Sequence, residues 1–172
     1  MRELGLVNRV VVAGCAGSGK STLARELAAR TGLPLIERDA LGILGSEEYR
    51  SAISQMAAAP CWILDGAPYY ADEPVYAAAD TVIFLDYPKL LVMWRVLRRT
   101  LRIELSRHPA GAHRPQGLAA WRDPEHAVRW AWISHRDRHH EGQALAARPE
   151  LADTQIIRFT RPLMAKRWLS RF

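Results

Sequence analysis

Eight consecutive residues, Gly14 to Ser21, have the types and the spacing that bind phosphate groups. They read Gly-Cys-Ala-Gly-Ser-Gly-Lys-Ser and match the pattern G-x-x-x-x-G-K-[ST] at every fixed position. Glycine permits the tight turn that brings several backbone N–H groups toward one anion. In this pattern the amine of Lys20 reaches the β- and γ-phosphates, and the hydroxyl of Ser21 is a Mg²⁺ ligand. The motif therefore predicts that the chain binds Mg²⁺ and a nucleoside triphosphate, with ATP as the expected one.

Three acidic residues, Asp39, Asp65 and Asp86, each follow an apolar run that is typical of a β-strand. In an open parallel sheet, ligands bind outside the carboxyl ends of the strands, which is where these carboxylates would lie. We predict that Asp65, after the run Trp62 to Leu64, is catalytic and holds the metal with its water shell. Asp39 forms an acid-x-acid pair with Glu37, which predicts a role in placing an acceptor or acting as a base. Asp86 precedes Tyr-Pro and is predicted to serve a turn.

Arginines of the second half are candidates for contacts with the triphosphate. Arg95 and Arg99 lie four residues apart in a predicted helix and share one face. Like charges on one face repel each other, which an intervening anion relieves. Arg129 and Arg136, seven residues apart on the next predicted helix, are placed to face the same cleft, and Arg138 is a weaker candidate. We predict that Arg99 and Arg136 act on the transferring group; a solvated basic surface is the alternative.

Strand and helix patterns alternate along the chain, which predicts a parallel sheet covered by helices on both faces. The helix over 122–141 has Asp123 as its expected N-cap and Pro124 at its first position. Residues 108–117 are predicted to form a mobile surface loop. Predicted strands cover 9–13, 33–36, 61–64, 81–85 and 155–159, and predicted helices cover 19–30, 46–58, 89–106, 122–141 and 162–169.

Composition and charge restrict the class of protein. The chain has 172 residues and 49% hydrophobic residues, which suits one globular domain. Its apolar runs are too short to span a bilayer, no secretion signal is expected, and both cysteines suit a reducing cytoplasm. Residues 1–86 carry 7 Lys and Arg against 11 Asp and Glu, whereas residues 87–172 carry 17 against 7. A polyanionic ligand is therefore expected against the second half. The aromatic residues there have helical spacing, which favours a core over a base-stacking platform, so contact with nucleic acid is only an alternative.

Five segments carry a resemblance to a known family: residues 14–24, 35–41, 62–66, 81–86 and 94–99. With them the chain resembles the nucleoside-monophosphate-kinase branch of the P-loop fold, and most of all the small bacterial adenylate-kinase-related group called topology modulation proteins. The resemblance covers nearly the whole chain. It implies a three-layer α/β P-loop NTPase fold with a five-stranded parallel sheet of order 2-3-1-4-5 and helices on both faces. It also implies a single kinase-like domain over 1–172 with a short lid near 103–140.

The resemblance also assigns residues to a nucleotide. The R-x-x-x-R spacing matches Arg95 and Arg99, which implies that Arg95 lies near the adenine and Arg99 near the phosphates. Asp65 matches the Asp of the adenylate kinase segment Asp-Gly-Phe-Pro-Arg, but Tyr69 stands where that segment has the Arg that contacts the acceptor nucleotide. The full set of residues expected to bind ATP is Gly14, Cys15, Ala16, Gly17, Ser18, Gly19, Lys20, Ser21, Thr22 and Arg95.

Three hypotheses for the function follow. The first is a cytoplasmic kinase that transfers the γ-phosphate of Mg-ATP to a small molecule, with a nucleoside monophosphate favoured by the resemblance. The second is a kinase of a small hydroxyl metabolite, like shikimate or gluconate kinases, which the Glu37–Asp39 pair favours. The third is a regulatory nucleotide-binding protein that contacts DNA through its arginine-rich half. No membrane partner is expected, and the sequence leaves the oligomeric state open.

Overall fold

A computed structural model describes residues 7–66, 73–105 and 126–172. The strands are β1 (Arg9–Gly14), β2 (Leu35–Glu37), β3 (Trp62–Asp65), β4 (Thr81–Leu85) and β5 (Gln155–Phe159). The helices are α1 (Lys20–Thr31), α2 (Glu47–Ala58), α3 (Glu73–Ala78), α4 (Lys89–Leu105), α5 (Ala127–Ala144) and α6 (Pro162–Leu169). A single turn of 3₁₀ helix, Arg38–Ala40, follows β2.

The five strands form one parallel sheet in the order β2-β3-β1-β4-β5, which confirms the predicted order. Alternate residues of β1 point to opposite faces of the sheet. Val10 and Val12 pack with apolar residues of α1, α4 and α6, whereas Val11 and Ala13 pack with those of α2 and α3. Helices thus cover both faces, as predicted, and all five carboxyl ends lie along one edge.

Capping residues in the sequence predicted two helix boundaries correctly. Ser46 caps α2 by accepting a hydrogen bond from the backbone N–H of Tyr49 at 3.1 Å, and Gly32 ends α1 in the left-handed conformation. The prediction for α5 was wrong at its start, because the helix begins at Ala127. His126 precedes it in an extended conformation and accepts the N–H of Val128.

Several expectations lie outside the described residues or fail against them. Asp123, Pro124, the predicted loop over 108–117 and Tyr69 are not among the described residues. The single domain over 1–172 and the lid near 103–140 stay predictions. The expectation that aromatic residues of the second half form core is wrong for Trp94, Trp130 and Trp132, which are 50–55% exposed. No helix in the described part of the chain has the length and apolar character to cross a membrane.

Candidate functional site

A cavity of about 680 Å³ opens at the carboxyl ends of β1, β2 and β3. Two groups of residues line it, the loop end and the strand end. The loop end consists of Gly14, Ala16, Gly17, Gly19, Lys20 and Ser21 of the phosphate loop with Thr22, Arg95, Val96, Arg99, Trp130, Ser134 and Arg138. The strand end consists of Arg25, Glu37, Arg38, Asp39, Asp65 and Gly66. The structure therefore brings the phosphate loop, the two predicted acids and the predicted α4 arginines to one cavity.

The phosphate loop is held in shape by its contact with α4. Gly17 has φ +82°, and a Cβ built on it would lie 2.2 Å from Cγ2 of Val96. Only glycine permits both this conformation and this approach. The loop runs directly into the first turn of α1, whose leading N–H groups have no acceptor within the helix. These groups and the positive end of the helix dipole favour an anion in the cavity.

Lys20 lies folded against its own loop. Its Nζ donates a hydrogen bond to the carbonyl oxygen of Cys15 at 3.0 Å. Burial lowers the pKa of Lys20, and the nearby carboxylate of Asp65 opposes this change. The amine is thus a largely desolvated cation that faces a carboxylate across the cavity. A bound phosphate would add negative charge beside the amine and favour its charged form.

Two residues of the predicted ATP-binding set, Cys15 and Ser18, are not among the described residues that line the cavity. Cys15 is buried, its thiol donates to the carbonyl of Ala131 at 3.8 Å, and burial raises the pKa of the thiol. The hydroxyl of Ser18 is also buried and has no hydrogen-bond partner among the described residues. Neither side chain is therefore available to a ligand, and the backbone N–H of Ser18 already donates to the carbonyl of Cys15 at 3.1 Å.

Arg95 and Arg99 of α4 both line the cavity, but their surroundings differ. Nη1 of Arg95 donates to the carbonyl of Ser18 at 2.9 Å, and its guanidinium lies 5.3 Å from the ring centroid of Tyr87. Arg95 thereby braces the phosphate loop. Arg99 is exposed and one helical turn further along, where it has space to meet a phosphate oxygen.

The face of α5 that meets the cavity differs from the one predicted. Trp130, Ser134 and Arg138 recur every four residues and line the cavity, whereas the described lining does not include Arg129 or Arg136. Nη1 of Arg138 donates to Oε2 of Glu141 at 2.6 Å, and both side chains are mostly buried. The charge of Arg138 also contributes to the low pKa of Lys20, which indicates that the two cations are close. Arg138 therefore occupies the place in the cavity that the spacing of the arginines predicted for Arg136.

At the strand end, carboxylates and guanidinium groups alternate. Glu37 of β2 and Asp65 of β3 are register partners, so their side chains emerge beside each other. Nη2 of Arg38 lies 2.6 Å from Oδ1 of Asp39, and Nη2 of Arg25 lies 3.6 Å from Oε1 of Glu37. The Asp65 carboxylate and the Ser21 hydroxyl are hard oxygen donors in one cavity, which is the ligand chemistry that Mg²⁺ prefers. The residues present therefore fit this ion.

Asp86 has a larger role than the predicted turn. Its side chain is 3% exposed, it accepts a hydrogen bond from Nε of Arg158 at 2.8 Å, and Nδ1 of His139 lies 2.8 Å from its other oxygen. The cluster joins the end of β4 to β5 and α5. His135 uses Nε2 to meet the carbonyl of Tyr87 at 3.0 Å. The described residues contain no group of three or more His, Cys, Asp or Glu that is arranged to hold a metal.

Comparison with known proteins gives a fold but no family. No protein-family model matches the sequence, and no curated protein is detectably similar to it in sequence. Among solved structures, the chain is similar to shikimate kinase from Acinetobacter baumannii in complex with shikimate, with 14% identity, a TM-score of 0.53 and 96% of this chain and 90% of that chain covered. A sugar kinase from a Janibacter species has 20% identity, a TM-score of 0.53 and coverage of 96% and 91%.

A third solved structure, deoxyadenosine kinase from M. mycoides with bound dCTP, has 12% identity, a TM-score of 0.52 and coverage of 94% and 97%. These three likenesses extend over almost the whole of each chain. At such identities they show a shared fold, which is the phosphate-loop α/β fold that the sheet order already indicates.

Proposed function

We propose that this chain is a kinase that transfers the γ-phosphate of Mg-ATP to a small-molecule acceptor. One observation carries the proposal: the phosphate loop with Lys20 faces the carboxylates of Asp65 and Asp39 across a single cavity. Phosphoryl transfer needs cations around the transferring group and an arranged acceptor, and the two ends of the cavity supply these. The similar solved structures of a shikimate kinase, a sugar kinase and a deoxyadenosine kinase support the same class of reaction.

The loop end would bind the triphosphate. Backbone N–H groups of the phosphate loop would hold the β-phosphate, and Lys20 would leave the carbonyl of Cys15 to reach the β- and γ-phosphates. Arg99 and Arg138 would stabilise charge on the transferring group, work for which one well-placed donor contributes about 3–4 kcal/mol. Ser21 and Asp65 would hold Mg²⁺, which neutralises phosphate charge when bound.

The remaining part of the cavity, the strand end, is left for the acceptor. Asp39 and Glu37 would orient it through hydrogen bonds, so that its attacking oxygen lies in line with the γ-phosphate. Closing the cavity excludes water, which otherwise competes as an acceptor.

The test is ADP release from Mg-ATP, with each candidate acceptor added in turn. We expect one class of acceptor to raise ADP release well above the rate in water alone. Lys20→Ala should abolish the increase, and the control Lys166→Ala, an exposed lysine on α6, should leave it unchanged. A protein whose ADP release with the acceptor does not depend on Lys20 would contradict the proposal.

A regulatory protein that contacts nucleic acid is the second candidate, and the exposed tryptophans favour it. Arg98 lies 5.3 Å from the ring centroid of Trp94, and Nζ of Lys89 lies 3.5 Å from that of Trp132. Exposed aromatic rings beside cations are the groups that stack and neutralise single-stranded nucleic acid. This candidate predicts a salt-dependent affinity for single-stranded DNA that survives Lys20→Ala. The kinase proposal instead predicts little affinity for single-stranded DNA.

A further inference from the structure

We infer that the acceptor is an uncharged polyhydroxyl compound, of the sugar or nucleoside class, and not a nucleoside monophosphate. The inference rests on the proposed function and concerns the strand end of the same cavity. Its basis is the distribution of charge. Lys20, Arg95, Arg99 and Arg138 give the loop end four cations, whereas the strand end has two guanidinium groups and three carboxylates.

Both arginines of the strand end are already paired with carboxylates. Nε and Nη2 of Arg38 lie 3.2 Å and 2.6 Å from the same oxygen of Asp39, and Arg25 meets Glu37. With Asp65 assigned to the metal, the four other charges cancel. A phosphate monoester would bring about two negative charges to a place whose described cations are matched by acids. Like-charge contact with Glu37 and Asp39 would oppose its binding.

The position of Arg38 is also fixed, because the guanidinium is held against the backbone. A Cβ built on Gly66 would lie 3.0 Å from Cβ of Arg38 and 3.4 Å from its Nε. The Arg38 side chain is 19% exposed, in contrast to 87% for Asp39. Arg38 therefore holds the Asp39 carboxylate in place, and the free face of that carboxylate is directed to solvent and to whatever binds there.

The chemistry of the transfer leads to the same class of acceptor. A phosphate oxygen attacks already ionised and needs cations beside it. A hydroxyl needs a group that accepts its proton as the oxygen forms its bond to the γ-phosphorus and the bond to the β–γ bridging oxygen breaks. ADP leaves with the electron pair, and the proton passes to the carboxylate of Asp39. Exposed carboxylates at the strand end provide this acceptor of protons and of further hydroxyl hydrogen bonds.

The test uses matched pairs of compounds that differ only by a phosphate: ribose and ribose 5-phosphate, glucose and glucose 6-phosphate, adenosine and AMP, uridine and UMP. ADP release from Mg-ATP is measured with each. We expect at least one neutral compound to raise ADP release, and its phosphorylated partner to raise it less. Greater stimulation by a phosphorylated member would overturn this inference while leaving the kinase proposal intact. Lys20-independent ADP release would instead refute the kinase proposal, and a panel in which no neutral compound acts would overturn the inference.

A pair of variants tests the carboxylates themselves. Asp39→Asn should lower kcat with the neutral acceptor about 100-fold or more, with partial rescue by Asp39→Glu, because proton acceptance is lost and then restored. The control Asp153→Asn changes an exposed acid outside the cavity and should have no effect. The double variant Glu37→Gln/Asp39→Asn releases both arginines and should tighten AMP binding about tenfold. Unchanged kcat in Asp39→Asn, or AMP binding as tight in the wild type as in the double variant, would refute the inference.

Discussion

The contact between the phosphate loop and α4 makes one glycine substitution unusually costly. Gly17 and Gly32 both have positive φ, +82° and +73°, so alanine at either position adopts a strained left-handed conformation. That strain costs about 1–2 kcal/mol at each site. The two sites differ in space, because a Cβ at Gly17 would lie 2.2 Å from Cγ2 of Val96, whereas one at Gly32 would meet nothing within 4 Å.

The difference in stability between Gly17→Ala and Gly32→Ala measures the cost of the contact between the new Cβ and Val96. Overpacking of a filled site costs about 1–3 kcal/mol, so Gly17→Ala should lower the free energy of unfolding by about 2–5 kcal/mol and Gly32→Ala by only about 1–2 kcal/mol. Urea unfolding measures both. For a chain of this length, each kcal/mol corresponds to about 2–4 °C in Tm. A Gly17→Ala protein that is no less stable than Gly32→Ala would refute the reasoning.

A double variant shows whether Val96 is the cause. Val96→Ala removes the methyl group that meets the new Cβ, so Gly17→Ala/Val96→Ala should be more stable than the two single changes predict by about 1–3 kcal/mol. If the effects of the two substitutions on the free energy of unfolding are strictly additive, the cost of Gly17→Ala does not come from contact with Val96. Gly17→Ala should also weaken triphosphate binding, since relief of the collision moves the loop away from the arginines of α4.

Four further predictions follow from the site and the core. Arg138→Ala should lower kcat by about 100-fold or more, and Arg136→Ala, two residues away on the opposite face of α5, should change it little, as ADP-release kinetics would show. Ser46→Ala should lower the free energy of unfolding by about 1 kcal/mol in urea, since a helix cap is lost. Asp86→Asn should cost about 1–3 kcal/mol by the same assay, because Arg158 loses its buried carboxylate partner. Burial lowers the pKa of Lys20, so the unfolded chain binds more protons than the folded chain between that pKa and the ordinary value of 10.5. The free energy of unfolding of the wild type should therefore rise relative to that of Lys20→Ala as pH increases through this range.

The sequence predicted the features that local patterns determine. The β-branched run before the phosphate loop, the cap at Ser46 and the glycine at position 32 act within a few residues, and the structure has each of them. The bounds predicted for β4, β5 and α6 are also those observed. The order of the strands came with the family resemblance, since no local pattern specifies which strands are neighbours.

The rotation of α5 about its axis required information that the arginine spacing lacks. Ala131 and Gly142 are its buried residues, and a Cβ on Gly142 would lie 2.4 Å from Cε1 of Phe84. These small residues set which face packs on the sheet, and that face carries Arg138. Arg136 lies about 160° from Arg138 around the helix axis, at 100° per residue. The small residues Ala131 and Gly142, eleven apart, carry this signal in the sequence, whereas the spacing of the arginines does not.

The start of α5 illustrates a second limit. His126 precedes the helix, accepts the N–H of Val128 and is itself buried. The burial of His126 depends on residues that are distant in sequence, so the local pattern around α5 does not predict it.

The two ends of the cavity belong to separate stretches of chain, and this has a consequence for how such a protein changes over generations. The strand end is built largely on β2, an edge strand of only three residues, and on the single turn Arg38–Ala40. None of the phosphate loop, α4 or α5 passes through that segment. Under the proposed function, replacement of a few residues after position 36 would exchange one acceptor for another while the residues of the loop end stay unchanged.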